Sequence, residues 1–184
     1  MFIIKKKYYL YIDNTKLINF DLLKRPYKFI IIYRNYFLKE NIKKIILFKK
    51  KCDRKKIKFY IANDYNLAKK CNASGLYLSS YNKKIFHNID VIGSAHNYKE
   101  INQKINQRCR LVILSRLFKT QYIEKTSFFG VAKFNLMVQK YNITIIPLGG
   151  IKNSNLLKLN LLNTEGFAVL SALKKKPVIS NRLF

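Results

Sequence analysis

Short apolar runs alternate along this chain with longer amphipathic stretches, and the apolar runs close on small or polar residues. Tyr8–Ile12 (YYLYI), Phe29–Tyr33 (FIIIY), Ile57–Ala62, Gly75–Leu78 (GLYL), Asp90–Gly93, Leu111–Leu114 (LVIL), Ile143–Ile146 and Gly166–Leu170 read as strands. They are short, rich in β-branched and aromatic residues, and bounded by turn signals. Between them the spacing predicts helices over Phe37–Lys51, around Leu67 and Ala68, from Tyr98 through Ile101 to Ile105, over Gly130–Tyr141, and over Leu156–Leu162. Asn97, with Glu100 three residues on, is a capping signal for the third of these.

Strands alternating with helices or helix-length loops are the pattern of parallel βα units. Polar and small residues follow the strands at Asp13, Arg34, Asn63-Asp64, Ser79, Ser94, Ser115, Gly149-Gly150 and Ser171. In a closed barrel these positions share the rim that carries chemistry. An open doubly wound sheet would give the same local pattern. The eight-fold count and the ending of the chain favour an α/β fold of the (β/α)8 TIM barrel type. In that ending, Ile143–Ile151 (ITIIPLGGI) runs from a strand into a Gly pair, and Gly166–Ala172 (GFAVLSA) repeats the format and closes on Ser171. Such a pair suggests a phosphate cradle after strands 7 and 8.

At 184 residues a single domain spanning 1–184 is expected. Barrels run from roughly 200 residues upward, so this one must be compact, with trimmed helices.

The net charge is +28, from 37 Lys and Arg against 9 Asp and Glu. Such a charge invites nucleic acid or an anionic membrane as partner. The pattern argues against it: lysines spread over the whole length, and aromatic residues sit inside apolar runs instead of interleaving with a basic stripe. The densest cluster, Lys49–Lys58 (KKKCDRKKIK), reads as the solvated end of a helix and its exit. Enrichment in Lys, Asn, Ile, Tyr and Phe is also what AT-rich codons produce. Phosphorylated small molecules are the expected partners, and a homo-oligomer is compatible with the sequence. Cys52, Cys71 and Cys109 have no CxxC spacing, so neither a disulfide framework nor a zinc site is indicated, and free thiols suit a reducing cytoplasm. No apolar stretch approaches the roughly 18 residues needed to span a bilayer. The opening MFIIKKKYYLYI places apolar residues before basic ones and makes a poor signal peptide.

Taken in order, these motifs resemble the thiamine-phosphate synthase family, which includes the related thiazole tautomerases. Tyr8–Asp13 resembles its first strand, and Ile61-Ala62-Asn63-Asp64 with Leu67-Ala68 and Ala73–Leu78 its third and fourth. Gly93-Ser94-Ala95-His96-Asn97 with Glu100 resembles the fifth, and Leu114–Thr120 the sixth. Leu148–Ile151 and Gly166–Ala172 match the ending. The resemblance implies joining of hydroxymethylpyrimidine diphosphate to a thiazole phosphate, with Mg²⁺ and release of pyrophosphate. It places Arg34 on the diphosphate, Asn63 and Ser94 on the pyrimidine substrate, and Asp64 and Asn82 at the metal. Thr120, with the N–H groups of Gly150, Leu170 and Ser171, would hold the thiazole phosphate. His96 falls where the tautomerase branch places its acid–base imidazole. Several positions that the family usually charges differ: Tyr36, Tyr65, Asn82 and Ile123 stand there, with Lys125 a nearby stand-in for the last. A tautomerase-type isomerase and a non-catalytic binder of phosphorylated ligands are therefore the alternatives.

Overall fold

A computed structural model describes residues 7–23, 25–35, 40–120 and 127–170. Tyr36, Ile123, Lys125 and Ser171 lie outside the described residues, as does the start of the helix expected from Phe37. Eight strands are described: β1 (Lys7–Ile12), β2 (Phe29–Tyr33), β3 (Lys58–Ala62), β4 (Gly75–Leu78), β5 (Val91–Ala95), β6 (Leu111–Ser115), β7 (Thr144–Leu148) and β8 (Gly166–Val169). They pair in chain order, every pair parallel, and β8 returns to β1 to close a barrel. Typical registers are Leu10 opposite Ile31 and Ser94 opposite Ile113. The open-sheet alternative is thereby excluded.

Two apolar layers follow from the period-2 alternation of the strands. Tyr9, Tyr11, Ile30, Ile32, Tyr60, Tyr77, Ile92, Ile113 and Ile146 form one cluster that includes no helical residue. It fills the barrel interior. The opposite parity packs outward against Ile45 and Phe48 of α1 (Ile42–Arg54), Ala68 of α2 (Tyr65–Lys70), Ile101 of α3 (Tyr98–Asn106) and Phe134 of α4 (Gly130–Gln139). Because both faces are covered, the strands read as continuous apolar runs.

Helix boundaries differ from the spacing-based expectation for local reasons. The Asn41 side chain accepts the Lys43 N–H at 2.9 Å, so α1 begins at Ile42. The segment expected to be helical over Leu156–Leu162 is a 3₁₀ helix over Asn153–Leu161. Its buried residues Leu156 and Leu159, followed by buried Leu162, recur every third position, which is the 3₁₀ period. No helix follows β4, where 79–90 is irregular. β5 continues beyond Gly93, because Ser94 and Ala95 still pair with β6.

Polar side chains close the N-terminal end of the barrel. Tyr60 donates its hydroxyl to Asp90 Oδ2 at 2.6 Å, Arg110 Nη2 donates to the Tyr60 oxygen at 3.0 Å, and Arg110 Nε lies 3.2 Å from both Asp90 oxygens. Tyr9 donates to Glu165 Oε1 at 3.3 Å. Burial raises both phenols well above their ordinary pKa, reinforced by the carboxylates beside them. Asp90→Ala is expected to cost about 1–3 kcal/mol, lowering the melting temperature by roughly 2–12 °C in a chain of this length, because it strips an acceptor from a buried phenol. Ligand affinity at the opposite end should not change, and thermal unfolding beside ligand titration checks both.

Candidate active site

The C-terminal ends of the strands form the other mouth. Inward parity brings Tyr11, Ala62, Tyr77, Ser94 and Ser115 towards it, with the Tyr11 and Tyr77 rings edge to face at 5.5 Å. Ser94 is buried. Arg34 continues the parity of Ile30 and Ile32; its N–H donates to Ile12 O at 2.7 Å, extending the β1–β2 ladder, and it is half-buried.

Asn63 is a hub. Its backbone adopts φ 58°, a left-handed conformation that Asn tolerates better than most residues. Its Nδ2 donates to Ser79 Oγ at 2.6 Å and to Tyr81 OH at 3.1 Å. Its Oδ1 accepts from the Ser79 N–H at 3.0 Å and from Asn82 Nδ2 at 3.1 Å. Both ends of the amide are therefore committed to the segment after β4. Asn82 is committed too, since its Oδ1 accepts the Lys84 N–H at 3.0 Å. Asp64 is exposed and caps α2, its Oδ1 accepting the Leu67 N–H at 2.9 Å. Tyr65 stacks on Phe86 with ring centroids 5.2 Å apart.

At the opposite side of the mouth, Gly149 (φ 99°) and Gly150 (φ 70°) form a turn with no side chains. A Cβ on Gly150 would stand 2.3 Å from Phe118 O, so only Gly lets this turn lie against the chain after β6. The two loops are joined by Phe118 N–H to Gly149 O at 3.1 Å and Leu117 N–H to Leu148 O at 2.9 Å. Arg116 Nη1 reaches Thr120 Oγ1 at 3.5 Å. Leu170 is exposed immediately beyond β8.

His96 lies just before α3. Its Nδ1 is 2.9 Å from Glu100 Oε2, which also accepts the His96 N–H at 2.8 Å. Asn97 accepts the Glu100 N–H at 2.9 Å and donates to Glu100 Oε1 at 3.0 Å. Burial works to raise the Glu100 pKa, but the His96 and Asn97 hydrogen bonds outweigh it and hold the carboxyl below its usual range. This is a capped helix start that also holds the imidazole by one nitrogen.

Sequence reasoning missed Glu40. Its carboxylate accepts from the Thr15 N–H (3.0 Å), Thr15 Oγ1 (2.9 Å) and Tyr33 OH (2.9 Å), tying the loops after β1 and β2. Burial, with Glu40 adding to it, pushes the Tyr33 phenol up to about 12, against an opposing hydrogen bond from Asn35. Scarcity was the available signal: with 9 acids against 37 basic residues, each carboxylate is conspicuous.

Among the described residues no group of three or more His, Cys, Asp or Glu could hold a metal ion. Asp64 is a hard oxygen donor with Oδ2 outside its capping bond, whereas both ends of Asn82 are occupied. This donor set fits a magnesium ion that arrives on substrate phosphates, held to the protein by Asp64. Among the described residues the donor set does not fit a resident ion caged by protein ligands. No helix among the described residues is long and apolar enough to cross a membrane.

A closed parallel (β/α)8 barrel whose polar strand ends gather at one mouth, with a side-chain-free Gly turn after β7, has the form of a TIM barrel with its candidate site at the C-terminal end of the strands. The family model described as thiamine monophosphate synthase matches residues 27–173, and the chain belongs to that family, one of thiamine biosynthesis. It is 32% identical over 143 residues to the thiamine-phosphate synthase of Pelagibacter ubique, covering 71% of this chain and 68% of that protein. A thiamine-phosphate synthase of Prochlorococcus marinus is 25% identical over 122 residues, 62% of this chain but only 35% of that longer protein. Among solved structures, a thiamine phosphate pyrophosphorylase from Pyrococcus furiosus superposes with a TM-score of 0.73 at 16% identity, covering 97% of this chain and 92% of that one. A 3-keto-L-gulonate-6-phosphate decarboxylase from Vibrio cholerae reaches a TM-score of 0.65 at 12% identity over 98% of this chain and 96% of its own. At these identities the likeness is one of fold, which hosts more than one chemistry.

Proposed function

We propose that this chain is a thiamine-phosphate synthase, joining hydroxymethylpyrimidine diphosphate to a thiazole phosphate and releasing pyrophosphate. The observation that carries the reading is the division of the mouth. In a closed eight-stranded barrel β3 and β7 stand four strands apart, on opposite sides. Asn63 and Asp64 end one, and the bare Gly149-Gly150 turn ends the other. Two phosphorylated substrates approaching one another across an apolar floor need that arrangement.

The bond from the pyrimidine methylene to the diphosphate oxygen breaks, its electron pair leaving with the diphosphate. The thiazole nitrogen lone pair then forms the new C–N bond. Arg34 supplies cationic charge to the departing anion, and Ser94 orients the pyrimidine from inside the mouth. Asp64 would hold a magnesium ion that accompanies the diphosphate, and such an ion would supply further neutralisation of the leaving group. Thr120 and the N–H groups at Gly150, Leu170 and Ser171 hold the thiazole phosphate.

No proton changes hands in the bond-making step, so His96 is a helix-opening residue in this reading. Thiamine phosphate should form from the two substrates with Mg²⁺, and His96→Ala should retain that formation within about threefold. Absence of product from a folded protein that still binds either substrate would sink the proposal. Isomerisation of a thiazole carboxylate phosphate by wild type, abolished in His96→Ala, would put the tautomerase reading in its place.

A further inference from the structure

The missing helix after β4 leaves backbone carbonyls of the 79–90 segment without helical partners. Lys104 of α3 and Gln107 just beyond it reach beneath that segment and satisfy three of them, those of Ser79, Asn82 and Lys84. Lys104 is 0% exposed, and its Nζ lies 2.8 Å from each of Ser79 O, Asn82 O and Gln107 Oε1. Three acceptors match the three N–H bonds of an ammonium, which accepts nothing itself. Gln107 Nε2 completes the set, donating to Asn82 O at 3.0 Å and Lys84 O at 2.7 Å. None of these contacts is a carboxylate, so ion pairing does not account for a lysine at this place. An apolar side chain would fill the inner face of α3 without the cost of burying an ammonium. Room for the lysine stem comes from Gly93, where a Cβ would stand 2.8 Å from Lys104 Cδ.

The carbonyls held in this way flank the side chains that grip Asn63: Ser79, Tyr81 and Asn82. We infer that Lys104 and Gln107 are positioning residues, which hold the 79–84 segment from beneath so that Asn63 and its neighbours on β3 are set to receive the pyrimidine diphosphate. This role rests on the synthase reading. It predicts an effect confined to one side of the mouth, since neither residue touches the loops after β6, β7 or β8 in any of these bonds.

The test titrates wild type, Lys104→Met and Gln107→Leu separately with hydroxymethylpyrimidine diphosphate and with the thiazole phosphate, by calorimetry. Affinity for the pyrimidine diphosphate should fall about tenfold or more in Lys104→Met and by a smaller factor in Gln107→Leu. Affinity for the thiazole phosphate should stay within about twofold, which also reports that the barrel is folded. Adding Lys104→Met to Asn63→Ala should cost less than it does alone, because both act through one segment. Amide exchange over 79–84 should quicken in Lys104→Met while β5 stays protected. Equal losses for both ligands, or an unchanged affinity for the pyrimidine diphosphate in both single variants, would overturn the inference. Failure of the synthase reading looks different: wild type itself would take up thiazole phosphate and no pyrimidine diphosphate, and this role for Lys104 would go with it.

Discussion

Asp64→Asn is expected to lower thiamine-phosphate formation at least about a hundredfold, while the melting temperature stays within about 2 °C of wild type. The substitution separates two roles of one side chain. As a cap, Asp64 accepts the Leu67 N–H at 2.9 Å, and Asn caps a helix about as well as Asp. As a metal ligand, the carboxylate offers a negative hard oxygen, which the amide lacks. Asp64 is exposed, so removing its charge strands no buried partner. The only other metal candidate that the family resemblance placed here, Asn82, is already neutral and hydrogen-bonded elsewhere. The loss should therefore be steeper than where a second carboxylate shares the ion. Steady-state rates at several magnesium concentrations, alongside thermal unfolding, measure both quantities. If capping is the whole role of Asp64, Asp64→Asn keeps rate and stability alike. Asp64→Ala would cost about 1 kcal/mol in either case through the lost cap.

The barrel was legible because its strands are covered on both faces, which forces the apolar runs that the eye finds first. FIIIY at Phe29–Tyr33 is buried along its whole length. Helices were less legible, since their limits depend on single hydrogen bonds such as the one from Lys43 to Asn41. The rim could be read from strand ends alone, and Asn63, Asp64, Ser94 and Gly150 all stand at the mouth. The hub around Asn63 could not, because it joins side chains sixteen to nineteen positions apart by geometry that no spacing rule encodes. Lys104 was hidden by company. It falls three residues after Ile101, on the buried stripe of α3, but in a chain with 37 basic residues one more lysine draws no notice.

Gly150→Ala should unseat the thiazole-phosphate side of the mouth and leave the pyrimidine side alone. At φ 70° an alanine is strained by about 1–2 kcal/mol even in open space. Here the added Cβ would also stand 2.3 Å from Phe118 O, 2.5 Å from Phe118 C and 2.7 Å from Lys119 O. These are backbone atoms, so relief requires the β7 turn or the 117–120 segment to move. The bonds from Leu117 to Leu148, from Phe118 to Gly149, and from Asn155 Nδ2 to Gly150 O at 2.8 Å resist that movement. A loss of roughly 2–4 kcal/mol in stability is expected, with affinity for the thiazole phosphate falling more than about tenfold. Affinity for the pyrimidine diphosphate, which the proposed synthase reading seats at β3, four strands away, should hold within about threefold. Gly130→Ala is the matched control. Gly130 also has a left-handed backbone, φ 69°, but nothing lies within 4 Å of its Cβ position. It should carry the dihedral strain alone, about 1–2 kcal/mol, and keep both affinities. Equal behaviour of the two variants would mean that backbone conformation, and not the contact between the β6 and β7 loops, makes glycine necessary at 150; the turn would then be no built part of a phosphate site.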